Sequence, residues 1–207
     1  MQPRLIAVSF SAFAEAHHLP DPLVRDDEDG QHVFVYSHDQ SRRYAYALSW
    51  ATDQPHLLWV MLNPGTGETE GRRRNTFERC KRWTREQGYG GLMFGNVFSL
   101  RTRSARDLLK MSEPADDLNH EALELLSTLA SGTIVAWGNH GARSDRPAAL
   151  HGKLVQPCCF GLTLAGQPRH PLYVAKDTPL QAWRGAPSAP SLDEPVAVAG
   201  GVAGRRL

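Results

Sequence analysis

Apolar residues along the chain form short continuous runs, separated by polar stretches and by segments with helical spacing. Continuous runs of this length are typical of strands that are buried on both faces. They lie at residues 57–62, 92–98, 133–137, 158–164 and 171–175. Two runs that alternate between apolar and polar residues, 32–37 and 43–50, predict an antiparallel hairpin instead.

A helix is predicted after the first of the continuous runs. Asn75 and Glu78 have the spacing of a capping box, and Gly88 can end the helix. Because Phe77 and Cys80 share one side of it, we expect Cys80 to be a core residue rather than a reactive thiol.

Further helices complete an alternation of strands and helices. Ser104 can cap a short helix, apolar periodicity predicts a longer one over 118–129, and another short one is predicted near 147–154. The alternation predicts an α/β fold, a layered helix-sheet-helix domain with a mainly parallel central sheet.

Composition divides the chain into three parts. Residues 1–42 are predicted to form an N-terminal extension and hairpin, including an acidic loop from Asp21 to Asp29. Residues 43–184 are predicted to form a single α/β domain. The tail, 185–207, is rich in Ala, Pro and Gly without amphipathic period, and we expect it to be disordered.

The total composition excludes several classes of protein. Of 207 residues, 41% are hydrophobic, which is enough to bury a core and excludes a wholly disordered chain. Three cysteines, with Cys158 and Cys159 adjacent, make no disulfide framework and favour a reducing cytoplasm. No Cys/His set has zinc spacing, and the N-terminal apolar stretch is too short to span a bilayer. We expect no metal, cofactor, membrane or obligate protein partner.

Charge is concentrated in one segment. The 23 basic and 22 acidic residues give a net charge of +1, which by itself argues against a phosphate-rich partner. Residues 72–106, however, contain ten basic and two acidic residues, a balance of about +8. This segment is either the basic rim of a site for a nucleotide or nucleic acid, or a solvated helix face paired with acids elsewhere. The phosphate-binding candidates are Arg72, Arg74, Arg101, Arg103 and Arg169.

Polar motifs lie near the carboxyl ends of the predicted strands. In an open α/β sheet the ligand crevice lies outside those ends, so we expect the first three motifs, those with Asn63, Asn96 and Trp137, to converge on one edge of the sheet. The candidate binding residues of all the motifs are Asn63, Pro64, Gly65, Thr66, Asn96, Phe98, Trp137, Gly138, His140, Arg169, His170 and Leu172. Each motif alone has an ordinary explanation: Asn-Pro-Gly is a common turn, and a lone histidine is usually an exposed loop residue.

The motifs together resemble domain-of-unknown-function family 1643. They are MLNPGTG, the helix segment 76–80, GYGGLMFGNVFSLR, VAWGNHG and the segment 166–173, in the order and spacing of that family. The resemblance covers roughly residues 43–181. Members usually carry Ser in place of Gly65 and Asp-Pro in place of Arg74-Asn75. The family implies no activity.

A more distant similarity is to the mismatch-specific branch of the uracil-DNA glycosylases, which carries an Asn-Pro-Gly loop, an Asn, a Trp-Gly and a late His-Pro in this order. That similarity implies a parallel sheet between helices and cleavage of the N-glycosidic bond of a flipped base. It implies that Asn63 positions the attacking water and that His170 donates a hydrogen bond to the departing base. Asn96 would read the base, Phe98 would stack on it, and Leu172 would lie near an intercalating position.

Three functional hypotheses follow from these residues. The first is a glycosylase-like hydrolase, with Asn63 and His170 as the catalytic residues, which requires that both meet Asn96 in one pocket. The second is a non-catalytic module that binds a nucleotide or nucleic acid. The third is a different small-molecule enzyme on the same scaffold, since a fold does not determine a function.

Overall fold

The computed structural model describes residues 2–51, 53–67, 75–108, 110–111, 117–150 and 152–185. In chain order the elements are α1 (Gln2–Ala16), β1 (Leu23–Asp27), β2 (Gly30–Tyr36), β3 (Arg43–Ser49), β4 (His56–Met61), α2 (Asn75–Glu86), β5 (Gly91–Asn96), α3 (Ala105–Leu108), α4 (Leu118–Leu129), β6 (Thr133–Val135), α5 (Arg146–Ala149), β7 (Pro157–Cys159) and β8 (Gln181–Ala182). Short 3-10 helices lie at Asn139–Arg143 and Pro171–Tyr173.

The strands of the described residues form one eight-stranded sheet in the order β1-β2-β3-β5-β4-β6-β7-β8. Its centre, β5-β4-β6-β7, is parallel. The flanking pairs, β1 with β2, β2 with β3, β3 with β5 and β7 with β8, are antiparallel. The fold is therefore mixed α/β, and the predicted parallel pairing applies to the four central strands only.

Successive side chains of the strands enter different hydrophobic clusters. Leu58 of β4 belongs to a cluster that also contains Phe10 of α1 and Leu126 of α4. Trp59, the next residue, belongs to a second cluster that contains Cys80 of α2. Successive residues of a strand point to opposite faces of the sheet, so each face carries a cluster of its own. Cys80 is fully buried, which raises the pKa of its thiol and confirms it as a core residue.

Several helix boundaries agree with the sequence prediction. Helix α2 is described over Asn75–Glu86, and Gly88 lies just after its end with a φ of 79°, a conformation that favours glycine. Ser104 Oγ accepts a hydrogen bond from the Asp107 N–H at 3.2 Å, which caps α3. Helix α4 spans Leu118–Leu129, as its apolar periodicity predicts.

The N-terminal segment differs from the prediction. The sequence analysis identified no helix at 2–16, yet Ile6 and Phe10 of α1 are buried in the core. The acidic loop predicted from Asp21 to Asp29 is wrong over Leu23–Asp27, which is strand β1 and pairs with β2. All side chains of β1 are exposed, so its sequence lacks the apolar pattern by which strands are recognised. Strand β2 pairs with β3, so the sheet continues across the boundary that was predicted after residue 42.

The C-terminal strands are shorter than predicted. The run 158–164 forms a strand only over Pro157–Cys159, and 171–175 contains the 3-10 helix Pro171–Tyr173 instead of a strand. Proline at the start of this turn favours a helical conformation. The helix predicted near 147–154 spans Arg146–Ala149. Beyond Gly185, the predicted disordered tail lies outside the described residues. Across those residues, none of the helices has the length and apolar character needed to span a membrane.

Candidate functional site

A cleft of about 970 Å³ lies at the carboxyl ends of the central parallel strands. Asn63 follows β4, Asn96 is the last residue of β5, and Trp137 follows β6. His170 enters from the loop that precedes the second 3-10 helix. The structure brings residues of all four sequence motifs to one cleft, at the edge where parallel sheets commonly bind ligands.

The side-chain amide of Asn63 is held by its nitrogen. Nδ2 donates to the Pro64 carbonyl at 3.0 Å and to Thr102 Oγ1 at 2.9 Å. The Thr102 hydroxyl donates its own proton to the Ser104 carbonyl at 2.9 Å, so its oxygen acts as the acceptor toward Asn63. This network determines the orientation of the amide. Asn63 Oδ1 has no partner in the described part of the chain and is available to a ligand or a water.

Asn96 lies at the base of the cleft and is 3% exposed. Its backbone carbonyl accepts a hydrogen bond from Asn119 Nδ2 at 2.9 Å. Its Oδ1 accepts a long hydrogen bond from Arg43 Nη2 at 3.4 Å, and the Arg43 guanidinium lies 5.3 Å from the centre of the Tyr46 ring. The last residue of β5 is therefore fixed by its backbone and by its amide.

His170 is an uncharged hydrogen-bond donor. Its Nδ1 accepts from the Leu172 N–H at 3.3 Å, so the neutral ring carries its proton on Nε2. Burial lowers the pKa of His170 from 6.5 to about 4. Near neutral pH the imidazole can therefore donate a hydrogen bond without adding positive charge to the cleft.

Two loops fix the position of His170. The Gly138 N–H donates to the Pro168 carbonyl at 2.9 Å, and Trp137 Nε1 donates to Gln167 Oε1 at 2.8 Å. Gly138 has a φ of 72°, which disfavours any residue with a Cβ. A Cβ placed there would lie 3.5 Å from His170 Cβ. The loop after β6 and the loop that carries His170 are thus packed against each other.

The floor of the cleft is aromatic. Tyr46, Phe77 and Phe94 line it, and the ring centroids of Tyr46 and Phe94 are 5.8 Å apart. Phe98, the predicted stacking residue, is 3% exposed in the hydrophobic cluster on the other face. Phe94 and Asn96 lie two positions apart on β5 and share a face, whereas Phe98 lies beyond the end of the strand. Within the predicted run 92–98 a two-residue period from Asn96 fits Phe94 and Phe98 equally, and only the observed end of β5 at Asn96 distinguishes them.

The described residues that line the cleft include no acidic side chain, while Arg43, Arg103 and Arg169 add positive charge. Arg103 and Arg169 are exposed at the rim. The Arg169 guanidinium makes no hydrogen bond or ion pair within the described residues. Those residues also contain no group of three or more His, Cys, Asp or Glu side chains that could hold a metal ion. The lining therefore suits an anionic organic ligand.

Part of the basic segment is neutralised by the N-terminal acids. Lys81 of α2 forms ion pairs with Asp29 and Glu78, and Arg85 Nη2 lies 3.4 Å from an oxygen of Asp29. For these two cations, the structure supports the interpretation of a helix face that is paired with the acidic N-terminal segment.

The candidate site residues divide into three sets. Those that line the cleft are Asn63, Gly65, Thr66, Asn96, Arg103, Trp137, Gly138, His140, Arg169, His170 and Leu172. Pro64, Phe98 and Arg101 do not line it: Pro64 and Phe98 are buried, and Arg101 donates at 2.8 Å to a backbone carbonyl between β2 and β3. Arg72 and Arg74 lie outside the described residues.

The polar residues of the described lining that the sequence did not identify as site candidates include Arg43, Thr102 and Ser104. Arg43 begins β3, and it reaches the cleft because β3 pairs with β5 in the antiparallel sense. That pairing joins segments far apart in the chain and leaves no local pattern. Thr102 and Ser104 lie between β5 and α3, where only the helix cap gave a signal.

Comparison with known families shows where the chain belongs. A family model described as "Protein of unknown function (DUF1643)" matches residues 43–172, more than half of the chain. The chain belongs to this family. The DUF1643 match includes every described residue of the cleft lining except Tyr173. Comparisons with curated proteins and with solved structures give no match.

Proposed function

We propose that the cleft binds a nucleobase of a nucleotide or nucleic acid and hydrolyses its N-glycosidic bond. The observation that carries this proposal is that the available Oδ1 of Asn63 and the uncharged ring of His170 line the same cleft. An oxocarbenium-like sugar needs little activation of the attacking water, so an amide oxygen that orients the water is sufficient. A departing base needs a donor where negative charge develops, and His170 Nε2–H supplies it.

The proposed reaction is a hydrolysis without a covalent intermediate. The bond between the anomeric carbon and the base nitrogen breaks, and its electron pair stays on the base, which His170 stabilises by a hydrogen bond. The water oriented by Asn63 forms the new carbon–oxygen bond and releases one proton to solvent. The departing base takes up one proton from solvent, so the products are the free base and a sugar with an anomeric hydroxyl.

Residues near the proposed catalytic pair support recognition of a planar, phosphate-linked ligand. The amide of Asn96 contains both a donor and an acceptor, as the edge of a base does. Phe94, rather than the predicted Phe98, lines the cleft floor, where it is 6% exposed and its ring stacks on Tyr46. Arg169 and Arg103 stand at the rim, where a phosphate outside the cleft would lie.

The fold supports the similarity to the mismatch-specific uracil-DNA glycosylases. We propose the helix-sheet-helix layering of that class for this chain, because α1 and α4 contribute to one hydrophobic cluster and α2 to the other. Three of the parallel strands, β4, β5 and β6, have polar motifs at their carboxyl ends, and the fourth motif enters from the loop before the second 3-10 helix, in the order of that class.

Base release from oligonucleotides tests the proposal. Each strand of a panel would carry one deaminated, alkylated or oxidised base, and mass spectrometry would detect the free base. We expect release by the wild type, no detectable release by Asn63→Ala, and a loss of about 100-fold or more in kcat with His170→Ala. His38→Ala, an exposed histidine that does not line the cleft, serves as the matched control. No release from the whole panel, or unchanged release by both cleft variants, would contradict the proposal.

A non-catalytic nucleotide-binding module is the second candidate. It is favoured by the lack of acidic side chains in the described lining, since most glycoside hydrolases activate water with a carboxylate. This candidate predicts nucleotide binding that weakens steeply with salt, equal affinity in wild type and Asn63→Ala, and a ligand that stays intact on long incubation.

A further inference from the structure

Exposed apolar side chains are concentrated at the mouth of the cleft. Among the described residues, Leu162, Leu164, Leu172 and Tyr173 are large, exposed and close in sequence to His170. Leu164 is fully exposed and Tyr173 is 80% exposed, and both line the cleft. A group of exposed apolar side chains beside a polar site is typical of a surface that binds another molecule.

The loop that presents Leu164 is a hydrogen-bonded hairpin. The Arg169 N–H donates to the Gly161 carbonyl at 3.0 Å, and the Thr163 N–H donates to the Gln167 carbonyl at 2.8 Å. Leu164 lies in the turn that these bonds close. The side chain of Leu164 is therefore exposed to solvent on an ordered backbone, and the segment 167–169 beside it leads directly to His170.

The ligand that fits this mouth extends beyond one nucleotide. When a base is bound at the cleft floor, Leu164 and Tyr173 can still contact the adjacent nucleotides of a nucleic-acid strand. Arg169 lies in the same segment with its guanidinium available, and the described lining has no acidic side chain to repel phosphates. Aromatic side chains combined with positive charge are how proteins bind single strands, because bases stack on the rings without regard to sequence.

We propose that the mouth of the cleft binds single-stranded DNA, with Tyr173 stacked on a base adjacent to the one in the cleft. Leu164 packs on the next base or sugar, and Arg169 contacts the phosphate between them. The inference rests on the proposed function, since one base of the strand occupies the cleft.

The proposed chemistry selects DNA and an unpaired strand. The electronegative 2′-hydroxyl of ribose destabilises a neighbouring oxocarbenium ion, and the described lining holds no carboxylate that would compensate. An exposed ring such as that of Tyr173 can stack only on a base that has left its own stack, which a single strand supplies at low cost.

Binding of the full chain to random-sequence oligodeoxynucleotides tests this surface, with fluorescence anisotropy and lengths from one to about nine nucleotides. We expect affinity to increase up to about four nucleotides and then to level off. The Tyr173 ring lies 5.6 Å from the ring of His170, so each variant is compared with its own affinity for single nucleotides. Tyr173→Ala and Leu164→Ser should each weaken binding of the longer strands by about fivefold or more beyond any change in their binding of single nucleotides. Tyr173→Phe should bind as the wild type does, because it keeps the ring. Leu5→Ser, an exposed leucine of α1 outside the cleft, is the matched control.

The outcomes separate this inference from the function on which it rests. If single nucleotides bind but added length gives no affinity, or if both variants bind long strands like the wild type, the inference is overturned and the proposed function stands. Equal affinity for a duplex, unchanged by Tyr173→Ala, also overturns it. If neither single nucleotides nor any strand binds, the proposed function is overturned as well.

Discussion

Asn63 Nδ2 lies 2.9 Å from Thr102 Oγ1, so a residue that follows β5 determines which amide atom a residue after β4 presents to the cleft. Since the Thr102 proton is given to the Ser104 carbonyl, the threonine oxygen can only accept from Asn63. In the proposed reaction Thr102 is a positioning residue that acts through Asn63.

Thr102→Val should remove this acceptor while it keeps the shape of the side chain. The Asn63 amide then loses one of the two bonds that fix its orientation. We expect kcat for base release to decrease by about tenfold, the equivalent of one lost hydrogen bond, with little change in KM. Thr102→Ser should restore kcat, because it keeps the hydroxyl. A change in KM alone would show that Thr102 contacts the ligand instead.

Gly138→Ala and Gly152→Ala form a matched pair. Both glycines have a positive φ, 72° and 83°, so alanine should destabilise either protein by about 1–3 kcal/mol. Only the alanine at 138 would contact His170, whereas nothing lies within 4 Å of a Cβ at Gly152. We expect thermal denaturation to show similar losses and calorimetry to show weaker nucleotide binding in Gly138→Ala alone. Equal loss of binding in both variants would contradict a local effect on His170.

Phe94→Leu and Phe98→Leu should separate ligand binding from stability. Phe94 lines the cleft and Phe98 is buried away from it, although both contribute to the core. Loss of a stacking ring at Phe94 should weaken nucleotide binding by roughly tenfold, whereas Phe98→Leu should leave affinity unchanged. Both variants should unfold at lower denaturant concentration. Weaker binding in Phe98→Leu alone would reverse this assignment.

The sequence predicted the residues that depend on local patterns. Asn63 and Trp137 lie at or just after the end of an apolar run, and Asn96 is the polar residue within the run 92–98, so all three could be identified from the local pattern. Arg43 and Tyr46 could not be found in this way, because they reach the cleft through the pairing of β3 with β5, in which Tyr46 lies opposite Phe94. Such pairing depends on tertiary context more than on local preference.

The pairing of the basic segment also depends on tertiary contacts. The sum of charges over residues 72–106 identified a basic segment. In the structure, however, Lys81 and Arg85 form ion pairs with Asp29, which lies in the turn between β1 and β2. That contact depends on β1, a strand whose exposed side chains gave no signal. The sequence therefore identifies the basic residues, whereas the fold determines which of them are not paired with an acid and can contact a ligand.

Asp29→Asn should remove the Asp29 ion pairs of Lys81 and Arg85, while Lys81 keeps its ion pair with Glu78. Because the side chains of the Lys81–Asp29 pair are only 12% and 23% exposed, we expect the free energy of unfolding to fall by more than the ~1 kcal/mol of a surface ion pair. DNA binding should become tighter at low salt, and the slope of log K against log salt should steepen by about one or two. Asp145→Asn changes the net charge equally at an exposed site away from α2 and is the control. The same steepening in both variants would assign the effect to net charge alone.

His56 should make the protein less stable in mild acid. It is fully buried, and burial lowers its pKa from 6.5 to about 4, so between these values the unfolded chain binds a proton that the folded protein does not. The free energy of unfolding is therefore highest above pH 6.5 and decreases as the pH falls toward 4, by about 2 kcal/mol from His56 at pH 5. The pKa of His170 is lowered as well, so His170 also decreases the free energy of unfolding as the pH falls.

Urea denaturation at neutral and at mildly acidic pH measures this effect. The free energy of unfolding should decrease less between the two pH values in His56→Gln than in the wild type. At neutral pH the variant is less stable, because it lacks the hydrogen bond between His56 and Ser49. If the free energy of unfolding decreases equally in the two proteins on acidification, His56 is protonated in the folded state.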